Sequence, residues 1–172
     1  VNFYIRRIKR ILPALFSVLL LSSIAGYIVY FPREMSTFSD SVRSSTFFYS
    51  NYFYKIFDFY TAESAKSLAL LHTWSLSIEE QFYILFPVVS FILFKRYRKE
   101  FLPTLIIFSI ISIYLNYSSL NIYDKFYNFE LRVWEILTGA ILMIFFFNIK
   151  KSSIKWQSET GFVLVFFSIV FF

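Results

Sequence analysis

The sequence contains no cysteine, three glycines and one histidine in 172 residues. Without cysteine it can form no disulfide, no thiolate metal site and no cysteine nucleophile. Three glycines cannot supply a phosphate-binding loop of the Walker or dinucleotide type, which disfavours soluble nucleotide-dependent enzymes. The single histidine, His72, leaves little room for a metal centre built from histidines, so we expect no metal.

Charged residues are also scarce, at 16% of the chain, whereas 58% of the residues are hydrophobic and the mean hydropathy is +0.60. Apolar residues that cluster into long runs are typical of a polytopic integral membrane protein. The net charge of +6 comes from basic residues in short clusters beside these runs. Because the clusters form no stripe on a soluble face, we expect no nucleic acid among the partners.

The longest uncharged run, residues 11–31, has 21 residues and would form a helix of about 31 Å, which matches a bilayer core. Further candidate spans are residues 75–94, 101–115, 133–149 and a last run, 161–172, about half a span long. Residues 35–57 mix aromatic, polar and charged residues, which favours an interfacial, re-entrant or internally buried helix. The fold class predicted is all-α, a transmembrane helix bundle of about five spans.

Three basic clusters predict the topology, because they hold 11 of the 17 lysines and arginines. The positive-inside rule places residues 1–10, 95–100 and 150–156 in the cytoplasm. An even number of spans then separates each pair of clusters, provided that residues 35–57 do not cross fully. The second and the fourth span consequently begin at the outer face of the membrane.

The first motif, residues 3–13, carries several arginines just before the first span. On a helix, Arg6 and Arg10 share a face at positions i and i+4, so two guanidinium groups could bind one anionic group from the cytoplasm. Coenzyme A, with its phosphates, would fit. The alternative is a basic anchor for anionic lipid.

The second motif, residues 72–83, places Glu79, Glu80 and Gln81 at the mouth of a spanning helix. Carboxylates are costly in lipid and usually face a bundle interior or a water-filled cavity, so this is a candidate site. Adjacent helical residues point about 100° apart, so only one of Glu79 and Glu80 can face the bundle centre squarely. Alternatively, the acids are charges near a helix start that the helix dipole stabilises, and Trp74 belongs to an interfacial belt.

The third motif, residues 126–139, places Arg132, Glu135 and Gly139 at i, i+3 and i+7, on one stripe of a helix. The arginine and the glutamate could pair with each other or with groups on another helix, while the glycine would permit close packing. A purely structural ion pair is the alternative.

Together these motifs resemble the acyltransferase-3 family of integral membrane acyltransferases, best known for O-acetylating cell-surface polysaccharides. The first matches the family's Phe-Tyr-x-Arg-Arg-x-x-Arg-x-x-Pro segment at Phe3, Tyr4, Arg6, Arg7, Arg10 and Pro13. The second matches His-x-Trp-Ser-Leu-Ser-x-Glu-Glu-Gln-Phe-Tyr at His72, Trp74, Ser75, Leu76, Ser77, Glu79, Glu80, Gln81, Phe82 and Tyr83. The third matches Arg-x-Trp-Glu-x-x-x-Gly at Arg132, Trp134, Glu135 and Gly139.

The resemblance implies transfer of an acyl group, most often acetyl, from acetyl-CoA or another acyl-CoA in the cytoplasm. The acceptor would be a hydroxyl of a lipid-linked sugar or a surface glycan such as lipopolysaccharide, with membrane lipids as further partners. The protein would reside in the inner or plasma membrane. The candidate catalytic residues are Glu79, Glu80, His72, Arg132 and Glu135, and the candidate substrate-binding residues are Arg6, Arg7, Arg10, Trp74, Ser75, Gln81 and Tyr83.

With this topology the arginines of the first motif lie on the donor side, and Glu79, Arg132 and Glu135 lie near the acceptor side. The polar interior of the bundle would then have to carry the acyl group or the pantetheine arm between them.

The family's proposed catalytic histidine lies upstream of the first motif, and this sequence begins after that point. We therefore interpret residues 1–172 as a single partial acyltransferase domain without its N-terminal helices and C-terminal remainder, inactive alone. The alternative function is that of a transporter or flippase fragment, with Glu79 and Glu135 as relay groups.

Overall fold

The computed structural model describes residues 2–57, 68–97 and 99–148 together with Gly161. Each regular element in these ranges is an α-helix, which confirms the predicted all-α class. The helices are α1 (Asn2–Val29), α2 (Pro32–Thr46), α3 (Ser50–Phe57), α4 (Thr73–Arg96), α5 (Phe101–Ser118), α6 (Ile122–Tyr127) and α7 (Phe129–Asn148). Residues 1–138 form one compact unit, which holds the sites described below, and a second unit begins at Gly139.

Three of these helices are long and apolar enough to cross a membrane: Phe3–Val29 within α1, α4 and α5. They confirm the first three predicted spans and indicate an integral membrane protein. Helix α7 contains most of the fourth predicted span as a helix. The run at 161–172, apart from Gly161, and the basic cluster at 150–155 lie outside the described residues.

The first span ends at Val29, and the next helix begins three residues later, at Pro32. Pro32 is the first residue of α2, where its fixed φ and missing N–H suit a helix start. The backbone N–H of Phe31 donates to the Glu34 carboxylate at 3.1 Å, which satisfies a polar group at the turn. Across this turn, a Cβ added at Gly26 would lie 2.9 Å from Cε1 of Phe38, so the glycine permits α1 and α2 to pack closely.

Residues 35–57 form two helices and not one span. Helix α2 has 15 residues and α3 has 8, each shorter than the roughly 20 residues that cross a bilayer. Between them Phe48 adopts a positive φ of 55°, which is uncommon for a residue with a side chain. Both helices bury side chains, among them Ser44, Asn51 and Tyr54, and the choice among the three alternatives stays a prediction.

Helices α1 and α4 run in opposite directions with their ends offset. The Tyr4 hydroxyl donates to the Ile84 carbonyl at 3.3 Å, and Arg7 Nε lies 4.0 Å from Glu80 Oε1. Farther along, Arg10 lines a cavity with His72. The beginning of α1 is therefore level with the middle of α4.

This offset brings Arg7 close to the carboxylates of α4, whereas the assignment of the arginines and of Glu79, Arg132 and Glu135 to opposite sides of the membrane stays a prediction. Positive-inside counting assigns helix ends to faces, but it does not fix how far two helices slide past each other. Arg7 and Glu80 are direct neighbours, so no long path through the bundle separates them.

Candidate functional site

Arg7 lies in a cavity of about 250 Å³ between α1 and α4, which Tyr4, Glu80 and Tyr83 also line. Its guanidinium carbon is 2.9 Å from the centre of the Tyr83 ring and 5.5 Å from that of Phe3. Only 20% of the Arg7 side chain is exposed, compared with 13% for Glu80. Aromatic rings and a carboxylate thus hold a largely buried cation against the cavity.

A second cavity, of about 430 Å³, is lined by Arg10 and His72. Its walls are mostly apolar, formed by residues such as Leu15, Leu70 and Leu76. Ile11 lines both this cavity and the cavity at Arg7, so the two are adjacent along α1. The two cavities place cations and apolar surface side by side.

Arg6 and Arg10 lie at i and i+4 on α1 as predicted, and binding of one anion by both stays a prediction. Arg6 is exposed and lines neither cavity, whereas Arg7 and Arg10 line adjacent ones. The i, i+4 rule identifies residues on a common face, but the rotation of α1 against α4 decides which face is covered. Arg7, one position farther along, is the residue that turns toward α4.

Glu79 faces a third cavity, of about 90 Å³, together with Trp74, Ser75, Arg132 and Glu135. Arg132 donates two hydrogen bonds to Glu135, at 3.1 Å from Nε and 2.7 Å from Nη2. This bidentate pair confirms that the two residues can bind each other. The Arg132 guanidinium also lies 5.1 Å from the Trp74 ring, so residues of the second and third motifs meet here.

The start of α7 is held in place by α5. The Ser112 hydroxyl donates to the Glu130 carbonyl at 2.7 Å and accepts from the Trp134 N–H at 3.3 Å. The Asn116 side chain donates to the Leu131 carbonyl at 3.1 Å. Together these bonds fix the backbone that carries Arg132 and Glu135.

The two adjacent glutamates point into different cavities on different faces of α4. Glu80 is the more enclosed of the two and Glu79 is exposed, while the functional role of Glu79 stays a prediction. The separation of about 100° between neighbours was anticipated, but the rotation of α4 was not. Helix α4 therefore carries one carboxylate toward Arg7 and the other toward Arg132 and Glu135.

Gln81 contributes to a buried polar network that was not predicted from the sequence. Its amide nitrogen donates to the Phe48 carbonyl at 2.8 Å and to Asn51 Oδ1 at 2.9 Å. Asn51 in turn donates to the Tyr127 carbonyl at 2.9 Å, which links α3 to α6. Direct contact of Gln81 with a substrate stays a prediction, while its present bonds position α3.

Serine and threonine side chains extend this network along α4. The Ser77 hydroxyl is 2.7 Å from Ser50, and the Thr73 hydroxyl is 2.7 Å from Ser45. Burial raises the pKa of nearby Tyr54 to about 12, although the hydroxyl groups of Ser41 and Thr73 act in the opposite direction. The sequence signal was present, since Thr73, Ser77 and Gln81 are spaced four residues apart and form one polar stripe.

We predict that Gln81→Glu destabilises the protein while leaving its helices intact. A carboxylate of similar size would face two oxygens, those of Phe48 and Asn51, with no N–H to donate. Leaving buried polar groups unpaired costs about 1–3 kcal/mol, so the thermal midpoint in detergent should fall. Ser118→Ala is the control, because that exposed hydroxyl bonds only within its own helix. An unchanged thermal midpoint for Gln81→Glu would show that the Gln81 amide does not stabilise the turn at Phe48 between α2 and α3.

Comparison with known proteins identifies the family. A family described as an acyltransferase domain matches residues 1–172. The chain belongs to the acyltransferase-3 family. The motif resemblance is thereby confirmed, and the cavities at Arg7, Glu79 and His72 lie within an acyltransferase domain.

Three relatives illustrate the similarity. An uncharacterized protein of Haemophilus influenzae is 31% identical over 84% of this chain and 62% of its own length. A Staphylococcus aureus protein named "Putative O-acetyltransferase SACOL0978" is 35% identical over 58% of this chain and 16% of its own length. The S. aureus O-acetyltransferase OatA is 29% identical over 90% of this chain and 26% of its own length. The chain thus spans less than two thirds of each of these relatives, and no solved structure matches it.

Proposed function

We propose that the protein transfers an acyl group, with acetyl as the proposed acyl group, from an acyl-CoA to a hydroxyl of a surface glycan or a lipid-linked sugar. The observation that carries this proposal is the match of an acyltransferase domain to the whole chain. The names of two relatives add O-acetyl transfer as the reaction class. Lipopolysaccharide in the inner membrane is one acceptor of suitable chemistry.

The donor site of this proposal is the pair of adjacent cavities along α1. Coenzyme A combines phosphates with a long, weakly polar arm that ends in the thioester. Arg7 and Arg10 supply guanidinium groups for phosphates, which planar N–H donors bind well. The apolar walls around Leu15, Leu70 and Leu76 suit the arm.

The acceptor site is the cavity of Glu79, Trp74, Arg132 and Glu135. Sugar hydroxyls donate hydrogen bonds to carboxylates and accept them from guanidinium groups. An indole ring adds an apolar face with a polar edge, which suits the mixed surface of a sugar. The cavity holds a few atoms of a sugar, so we assign it to the reacting hydroxyl and its nearest neighbours.

In the reaction, the acceptor oxygen bonds to the thioester carbonyl carbon, the carbon–sulfur bond breaks and coenzyme A leaves as the thiol. The hydroxyl proton ends on the sulfur of coenzyme A, and we assign to Glu79 either its removal from the hydroxyl or the orientation of the hydroxyl for that transfer. Arg132 and Glu135 keep the hydroxyl next to Glu79. His72 lines the cavity of Arg10, on the donor side of this arrangement.

Membrane lipids are proposed as further partners because the spans present apolar side chains to their surroundings. Leu21, Phe91 and Ile110, on α1, α4 and α5, are each more than half exposed. In a bilayer such residues contact acyl chains.

Labelled acetyl-CoA tests the proposed function. Membranes that contain the full-length protein should transfer the label to a glycan fraction in a base-labile form, as expected of an O-acetyl ester, and release free coenzyme A. The Lys95→Gln protein, changed at an exposed lysine near the end of α4, should keep transfer and controls for the effect of a substitution outside the proposed sites. Release of coenzyme A without base-labile label on a glycan would contradict the proposed acceptor. The absence of both would contradict the activity itself.

A further inference from the structure

We infer that Tyr83 and Glu80 are positioning residues for Arg7: the Tyr83 ring holds the guanidinium plane, and Glu80 is a counter-ion that the donor phosphate displaces. This inference rests on the proposed donor site and assigns to its residues roles that family membership does not supply. Both positioning residues lie on α4, three positions apart, on the face that meets α1.

The contact of Arg7 with Tyr83 is the closest cation–aromatic contact among the described residues. The guanidinium carbon lies 2.9 Å from the ring centre, well within the range of about 6 Å over which a cation is attracted to a ring face. This contact is made at the guanidinium carbon, and the N–H donors of an arginine point outward in the plane of its guanidinium group. Tyr83 thus holds Arg7 through a contact that uses none of its N–H donors.

The contact of Arg7 with Glu80 is an ion pair without a hydrogen bond. The 4.0 Å between Nε and Oε1 exceeds the distance of a hydrogen bond. Both atoms are buried, and neither has a hydrogen-bond partner in the part of the chain that the structure describes. The Arg7 Nε–H therefore makes no hydrogen bond that a phosphate oxygen would have to break, and the phosphate reaches it by displacing Glu80.

The pair also explains how a buried arginine is tolerated before a ligand arrives. An uncompensated charge at this depth is costly, and the Glu80 carboxylate offsets it. When a phosphate binds, it competes with the Glu80 carboxylate for the same guanidinium group. Glu80 should consequently weaken donor binding, whereas Tyr83 should strengthen it, and both effects should act through Arg7.

Binding of free coenzyme A to the purified protein tests these opposite signs. The full-length protein is placed in nanodiscs of zwitterionic lipid, so that no anionic lipid competes, and titrated calorimetrically. We expect Glu80→Gln to tighten binding by about 3- to 10-fold, since no carboxylate then competes with the phosphate for the Arg7 guanidinium. We expect Tyr83→Leu to weaken binding by about 3- to 10-fold, and Tyr83→Phe, which keeps the ring, to retain it. Glu100→Gln, at an exposed acid beyond the end of α4, is the control for loss of charge alone.

The same substitutions in an Arg7→Gln protein separate positioning from general effects. If Glu80 and Tyr83 act through Arg7, neither substitution should change the residual binding by more than about 2-fold. Effects of equal size with and without Arg7 would overturn the inference. Binding that requires Arg7 but ignores both Glu80→Gln and Tyr83→Leu would overturn it and leave the donor site standing. Binding that does not require Arg7 would overturn the donor site and this inference with it.

Discussion

Glu79→Gln should lower the rate of acyl transfer by about 100-fold or more, which is the usual scale of general acid–base help. Glutamine nearly preserves the size of the side chain, so insertion and packing should persist. It cannot accept a proton from the acceptor hydroxyl, and its amide would lie near Arg132, where the carboxylate now faces a cation. Transfer to the glycan acceptor, measured at matched membrane expression, is the readout.

Glu80→Gln is the matched control, because it removes the same charge from the neighbouring position. Glu80 lines the cavity of Arg7, and the proposed acceptor cavity lies on a different face of α4. Removal of the Glu80 charge should therefore alter donor affinity more than the transfer step. We expect a smaller fall in the transfer rate at saturating donor. Normal transfer by the Glu79→Gln protein would reduce Glu79 to a charge near the start of a helix.

The spans could be predicted because hydropathy and length are properties of single segments. Helices α1, α4 and α5 match the predicted runs within a few residues at their C-terminal ends. At the N-terminal end of α1 the helix extends through the basic cluster, since arginine and lysine are good helix formers. Residues 35–57 were expected not to cross the membrane as one span, and the break at Phe48 divides them into two short helices.

The offset of α1 against α4 could not be predicted, because it depends on contacts between two segments far apart in the sequence. Tyr4 with Ile84 and Arg7 with Tyr83 fix the offset, and neither pair follows from a local pattern. The same applies to rotation. Apolar residues surround α1, so no clear stripe indicates whether Arg6 or Arg7 turns toward its neighbour.

The sequence indicated which residues belong to the candidate site better than how they are arranged. The motifs identified Glu79, Arg132 and Glu135, and the structure brings all three to one cavity. The roles of Gln81 and Ser77 in joining α4 to α3 were missed, although a period of four residues indicated a polar stripe. Polar residues in a motif were interpreted as ligand contacts, whereas buried polar groups must first satisfy each other.

Arg7→Lys should weaken coenzyme A binding by about 10- to 100-fold while leaving insertion unchanged, because a charge-assisted hydrogen bond contributes about 1.5–3 kcal/mol. Lysine keeps the positive charge but lacks the planar fork that donates two hydrogen bonds to a phosphate. It also cannot lie flat on the Tyr83 ring, which the guanidinium of Arg7 now approaches to 2.9 Å. Donor binding by calorimetry and the KM for the acyl-CoA should change together.

Arg6→Lys is the control that the structure supplies. Arg6 belongs to the same basic cluster but is exposed and lines neither cavity, so the substitution should change donor binding by less than about 3-fold. A topological or lipid-anchoring role depends on charge alone and would treat Arg6→Lys and Arg7→Lys alike. If both proteins bind and transfer normally, the basic cluster is an anchor for anionic lipid. A loss confined to Arg7→Lys would require the guanidinium shape at that one position, which an anchor does not.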